Sequence, residues 1–131
     1  MLSPLTRTAA LLAAAATLGT ATPAIAQTNS ISINSAAAKG GKNAAINVTY
    51  TCDQNLESPF IAARLKFSWG NVYGRLATLT CDGQSHTTDV SVSSNYNTIK
   101  RGEKAEAGVQ LQQGSVLPEV VVSDTKRLTL G

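Results

Sequence analysis

The chain has 131 residues, with eleven Lys plus Arg, eight Asp plus Glu, one His and two Cys. This is the length of one ordinary domain, about 100–150 residues, and it excludes a multidomain enzyme. Two cysteines are too few for a zinc cluster of the CxxC type, and 15% charged residues without blocks exclude charge-driven disorder.

Residues 1–26 read as a secretory signal. Met1 to Arg7 is a short leader with one positive side chain, followed by the apolar run Ala9 to Ala16. Pro23-Ala24-Ile25-Ala26 places small residues at the two positions a signal peptidase reads, so cleavage is expected after Ala26. The uninterrupted apolar run is well short of the roughly 20 residues that span a bilayer, and no Cys follows the cleavage point to carry a lipid. The expected product is a secreted, extracellular domain over 27–131. It keeps ten basic and eight acidic residues, a charge of +2, too weak overall for nucleic-acid binding to be expected.

From Gln27 onward apolar residues alternate with period two, which predicts strands rather than helices. Ile31 and Ile33 open the pattern. Ile46, Val48, Tyr50 and Cys52 form one inward row, with Asn47, Thr49 and Thr51 facing out. Ile61, Ala63, Leu65, Phe67 and Trp69 form a second, opposed by Arg64, Lys66 and Ser68. Ala77, Leu79 and Cys81 read as a third. Val90 with Val92, Val109 with Leu111, Val120-Val121-Val122, and Leu128 with Leu130 complete the set. Breakers at Lys39-Gly40-Gly41-Lys42, Gly70-Asn71, Asp82-Gly83, Arg101-Gly102 and Gln113-Gly114 separate the runs. Glu103 to Ala107 is the one helix-like stretch of the mature part, bracketed by Gly102 and Gly108 to a single turn at most. The predicted fold is all-β: a single immunoglobulin-like antiparallel β-sandwich of about seven strands.

Cys52 and Cys81, an even pair in a small secreted domain, are expected to form one disulfide. Closing a loop of about 30 residues stabilises by roughly 3.5 kcal/mol in the chain-entropy model.

The candidate sites are few. His86 is the only histidine, and no GxSxG elbow accompanies it. A Cys52–Cys81 bond would draw Asp53 and Asp82 together, where two carboxylates could share a proton or meet Ca²⁺. Asp before Gly is equally the ordinary turn pair. Asn47-Val48-Thr49 matches a glycosylation sequon inside a predicted strand. The stretch Trp69-Gly70-Asn71-Val72-Tyr73-Gly74-Arg75 is the most distinctive, since Trp, Tyr and Arg dominate binding hot spots. It reads either as a flexible loop presenting those side chains or as the end of an inward row with Trp69 packed on the disulfide.

The strand end VTYTC, the second cysteine in TCDGQSH and the run RGEKAEAGVQL resemble small secreted β-sandwich proteins of actinobacteria, over about residues 45–112. That resemblance implies a family without an assigned activity and hands over no site residues. Neocarzinostatin-type carriers and tendamistat-like amylase inhibitors are similar in size and fold class, but each has four cysteines. The expected function is therefore a secreted, non-catalytic binding module with no cofactor and no metal, the contacts being Trp69, Tyr73, Arg75, Arg64 and Lys66. Its expected partner is an extracellular or cell-wall protein or a small ligand, met by a monomer, with neither nucleic acid nor membrane involved. Two alternatives stand beside it. An inhibitor of a secreted hydrolase would need the Trp69–Arg75 loop rigid and exposed. A small-molecule carrier would need an open cleft lined by Tyr50, Phe60 or Phe67.

Overall fold

The computed structural model describes residues 29–131, and the expected signal segment with its expected cleavage point lies outside the described residues. Seven strands follow one another: β1 (Ser30–Gly40), β2 (Asn43–Thr51), β3 (Phe60–Phe67), β4 (Gly70–Leu76), β5 (Ser85–Ser93), β6 (Lys104–Gln113) and β7 (Glu119–Thr129). Among the described residues none is helical.

All pairings are antiparallel, in the spatial order β1-β2-β5-β4-β3-β6-β7. Three hairpins, β1–β2, β3–β4 and β6–β7, the first two with two-residue turns, account for the local pairs. The long-range pairs β2–β5 and β3–β6 supply the crossovers of an immunoglobulin-like Greek key. β4 pairs with β3 along its whole length but meets β5 at the single register pair Tyr73–Ser93. The sheet therefore folds over at that point into two layers, β1-β2-β5 and β4-β3-β6-β7.

Each strand exposes one face because its side chains alternate. Ile46, Val48, Val90 and Val92 from one layer meet Ile61, Leu65, Val109 and Leu111 from the other, all buried. The predicted inward rows of β2, β3, β5 and β6 are the observed ones. Glu103 to Ala107 is not a helical turn. From Lys104 it is the start of β6, with Ala105 and Ala107 facing the core. Small apolar residues alternating with charged ones satisfy an inner sheet face as well as a helix, and β6 has β3 and β7 on either side to pair with.

Two further expectations are corrected. The Ala77–Cys81 row is not a strand: 77–84 is irregular chain crossing between layers, and Thr80 N donates to Tyr50 Oη at 3.0 Å instead of to a neighbouring strand. The stretch Gly70–Leu76 is not a flexible loop. It is β4, returning from β3 through the two-residue turn Ser68–Trp69. Its glycines concealed it. Gly74 carries no side chain because β4 runs close over β5 there: a Cβ at this position would overlap the carbonyl oxygen of Ser91 and stand 2.9 Å from Val92 Cγ1.

The Cys52–Cys81 disulfide forms, with a Cα–Cα distance of 4.7 Å. It joins the two connections that cross between layers, β2–β3 and β4–β5, and Gly83 N donates to the Cys52 carbonyl beside it. Such a bond fits an oxidising compartment.

The outermost strands face one another. Ala38 N donates to Gly131 O and Gly131 N to Ala36 O, both at 3.0 Å, while Ile33 N donates to Asp124 Oδ2 at 2.9 Å. The sheet is thus nearly closed into a barrel.

Candidate functional site

The two outer faces differ in how far their polar groups are already engaged. On the β1-β2-β5 layer, Asn34 Nδ2 donates to Asn47 Oδ1 and Thr49 Oγ1, Asn47 Nδ2 donates to Asp89 Oδ1, and the Thr49 and Thr87 hydroxyls bond at 3.0 Å. The sequon residue Asn47 is held in this ladder from both sides. Hydroxyl and amide side chains here bond one another across the strands.

The opposite face, on β4-β3-β6-β7, is charged. Register places Tyr73 beside Arg64, Arg64 beside Gly108 and Gly108 beside Thr125 in one cross-strand row. The next row runs Asn71, Lys66, Glu106, Arg127, and on the other side Arg75, Ala62, Gln110, Ser123. Alternation along β6 puts Lys104 on the same side as Glu106. Five cations, Arg64, Lys66, Arg75, Lys104 and Arg127, thus share a face with a single carboxylate, Glu106. The charge of +2 over residues 27–131 conceals this, because most of the acids lie in loops or on the other layer.

Arg64 lies over the bare backbone of Gly108, and its Nη2 is 3.8 Å from Glu106 Oε1. That distance makes a weak, solvated pair. Its Nε is buried without a hydrogen-bond partner, an arrangement that costs stability. Around it, Tyr73, Gln110, Ser123, Thr125 and Asp124, whose carboxylate accepts from Ile33 N, border a shallow hollow of about 270 Å³ floored by Ala62 and Gly108. Arg75 packs its guanidinium 3.7 Å above the ring centre of Phe60, a cation–π contact that fixes the side chain at the edge of the face.

Four of the five predicted contact residues, Arg64, Lys66, Tyr73 and Arg75, therefore come together on one hairpin face. Trp69 does not join them. It sits half-buried in the β3–β4 turn, stacked on Phe67 at 4.8 Å between ring centres. It is also remote from the disulfide, which lies at the other end of the β3–β4 hairpin. Its Nε1 donates to Glu103 Oε2 at 3.0 Å, and Glu103 Oε1 accepts from Lys100 N at 2.8 Å. The second bond and then the first hold the Glu103 carboxyl below the ordinary value of 4.5. A lowered carboxyl pKa stabilises fully above the ordinary value and is lost only as pH falls through the folded-state value. Trp69 emission is accordingly expected to stay constant from about pH 7 to about pH 5 and to move only under more acid conditions. In a Glu103→Gln variant that acid transition disappears; a transition retained by the variant would assign it elsewhere.

The other candidates are occupied structurally. Asp53 Oδ1 accepts from Asn55 N and Asp82 Oδ1 from Gln84 N, so each carboxylate closes its own turn. Asp82 Oδ1 also bonds His86 Nε2 at 2.9 Å. That bond and the Gln84 amide hold the Asp82 carboxyl below its ordinary value of 3.8. The His86 ring lies 5.7 Å from that of Tyr50. Among the described residues no three His, Cys, Asp or Glu side chains gather as metal ligands would. Tyr50, Phe60 and Phe67, which would line a carrier's cleft, are buried in the core.

Sequence reasoning missed three members of the surface. Lys104 and Arg127 belong to it only through the β3–β6 and β6–β7 registers, which no single stretch encodes. Tyr96, 87% exposed in the β5–β6 connection, had one available signal: a lone aromatic in the polar run Ser-Ser-Asn-Tyr-Asn. Compared with models of known protein families and with curated proteins, the chain matches none.

Proposed function

We propose that this is a secreted, non-catalytic binding module that meets an anionic extracellular or cell-wall partner through the β4-β3-β6-β7 face. The observation that carries the reading is the gathering of Arg64, Lys66, Tyr73 and Arg75, with Lys104 and Arg127, against one carboxylate. Attraction between a one-sign face and a partner of the opposite sign speeds encounter and fixes orientation. The other layer's hydrogen-bond ladder leaves it less to offer. The disulfide and the leader over 1–26 support export, and the VTYTC, TCDGQSH and RGEKAEAGVQL stretches support kinship with the secreted actinobacterial sandwiches. The inhibitor alternative loses its premise, since Trp69–Arg75 is a turn and a strand rather than a protruding loop.

Poly-L-glutamate is the first probe. The mature domain is expected to bind it with an affinity that falls as salt rises, because exposed charges are screened over about 10 Å at 0.1 M. The triple variant Arg64→Gln/Lys66→Gln/Arg75→Gln is expected to bind on the order of tenfold more weakly, at a few tenths to one kcal/mol per exposed charge. An unchanged affinity in the triple variant would remove this face from the reading.

A further inference from the structure

The chain has six aromatic side chains, and four of them are committed to the core or its margin: Phe60, Phe67, Tyr50 and Trp69. The remaining two, Tyr73 and Tyr96, are 64% and 87% exposed. Both, together with the half-buried Trp69, border one hollow of about 450 Å³ between β4 and the β5–β6 connection, in the size range of ligand pockets. Asn71, Asn95 and Asn97, all exposed, line the same hollow.

We infer that the hollow between Tyr73 and Tyr96 is a sugar subsite, and that the anionic partner of the face is an acidic glycan. A pyranose ring offers apolar C–H faces to an aromatic ring and pairs of hydroxyls to carboxamides, which donate and accept at once. Two exposed tyrosines and three asparagines supply that combination. Little of it suits an added peptide strand, whose recognition rests on unpaired main-chain groups.

The subsite is built rather than fluid. Ser94 Oγ accepts from Tyr96 N and Asn97 N, Ser94 N donates to Lys42 O at 2.8 Å, and Lys42 Nζ donates to Asn95 O. These bonds fix the loop bearing Tyr96 against the β1–β2 turn before any ligand arrives, which lowers the ordering cost of binding. Tyr73 also borders the second hollow, where Arg64 crosses Gly108. A polymer that stacks a ring at Tyr73 and continues over the sheet meets Arg64, and then Lys66 or Arg75 on either side. Carboxylates on successive rings would find those cations. This inference rests on the basic face as the binding surface and adds the chemistry of what it binds.

The test is a titration of the isotope-labelled mature domain, followed by amide chemical shifts, with oligogalacturonate and hyaluronan oligosaccharides. Neutral maltoheptaose and poly-L-glutamate serve as comparisons. An acidic oligosaccharide is expected to move the amides of Asn71, Tyr73, Tyr96 and Arg64. Tyr73→Ala/Tyr96→Ala is expected to weaken it about tenfold, with the melting temperature unchanged because both rings are solvent-exposed. Acidic sugars that leave Tyr73 and Tyr96 unmoved at millimolar concentration, or that bind the tyrosine double variant as tightly, would overturn the sugar subsite. Maltoheptaose binding as tightly as the acidic sugars would overturn the acidic assignment. Poly-L-glutamate bound through Arg64 alongside inert sugars would leave the face standing and remove the glycan; loss of both would remove the two together.

Discussion

A domain without the Cys52–Cys81 bond is expected to be less stable by about 3.5 kcal/mol, the entropy of closing a loop of 29 positions in the unfolded chain. Domains of this size have net stabilities of about 5–15 kcal/mol, so roughly a fifth or more of the total rests on one covalent link. Position magnifies the effect. The bond ties together the two connections that carry the chain from one layer to the other, so its loss lets both crossings open at the same end of the molecule. Reduced wild type and Cys52→Ala/Cys81→Ala separate the bond from the packing, since Cys52 is fully buried and alanine also removes its sulfur. Denaturant midpoints for oxidised, reduced and double-variant protein measure both terms. A reduced protein as stable as the oxidised one would refute the argument.

The second large effect is expected from a single methyl group. Gly74→Ala places a Cβ into the Ser91 carbonyl oxygen and against Val92 Cγ1, both parts of β5. Neither can yield cheaply, because Ser91 is backbone and Val92 is core. Overpacking of this kind costs about 3 kcal/mol or more when backbone must move. The movement would separate β4 from β5 where the sheet folds over, and with it shift Tyr73, the register partner of Ser93. Gly74→Ala is therefore expected to lower the thermal midpoint and to weaken any ligand held at Tyr73. Gly108→Ala provides the contrast: there the nearest atom, Arg64 Nη2, is 3.5 Å away at the end of a flexible side chain. Equal midpoints for the two variants would show that the close approach at Gly74 is not limiting.

The inward rows of β2, β3, β5 and β6 were legible because period two is imposed by one buried and one wet face. Arg64 and Lys66 were legible as outward residues for the same reason. β4 was not, since of its seven residues Val72 alone is buried, and its two glycines resemble turn punctuation. The false strand at Ala77–Cys81 shows the converse: a crossover tied down by the disulfide and by the Tyr50 hydroxyl alternates in sequence without pairing to a strand. For the site, one hairpin's worth of contacts could be read locally. Lys104, Arg127 and Tyr96 could not, because they reach the surface through registers and loop closures made between distant segments.

The contact between the first and last strands has a consequence for how the molecule comes together. Ile33 and Asp124 are 91 positions apart, so their bond forms only once the chain from β1 to β7 is in place. Closures of this span put a domain among the slow, millisecond-to-second folders. A chain truncated ahead of Asp124 would leave the margin of β1 bare, and a bare margin is a template for joining other chains. β7 thus protects the molecule from its own kind: while it covers the margin of β1, that margin offers no template to another chain.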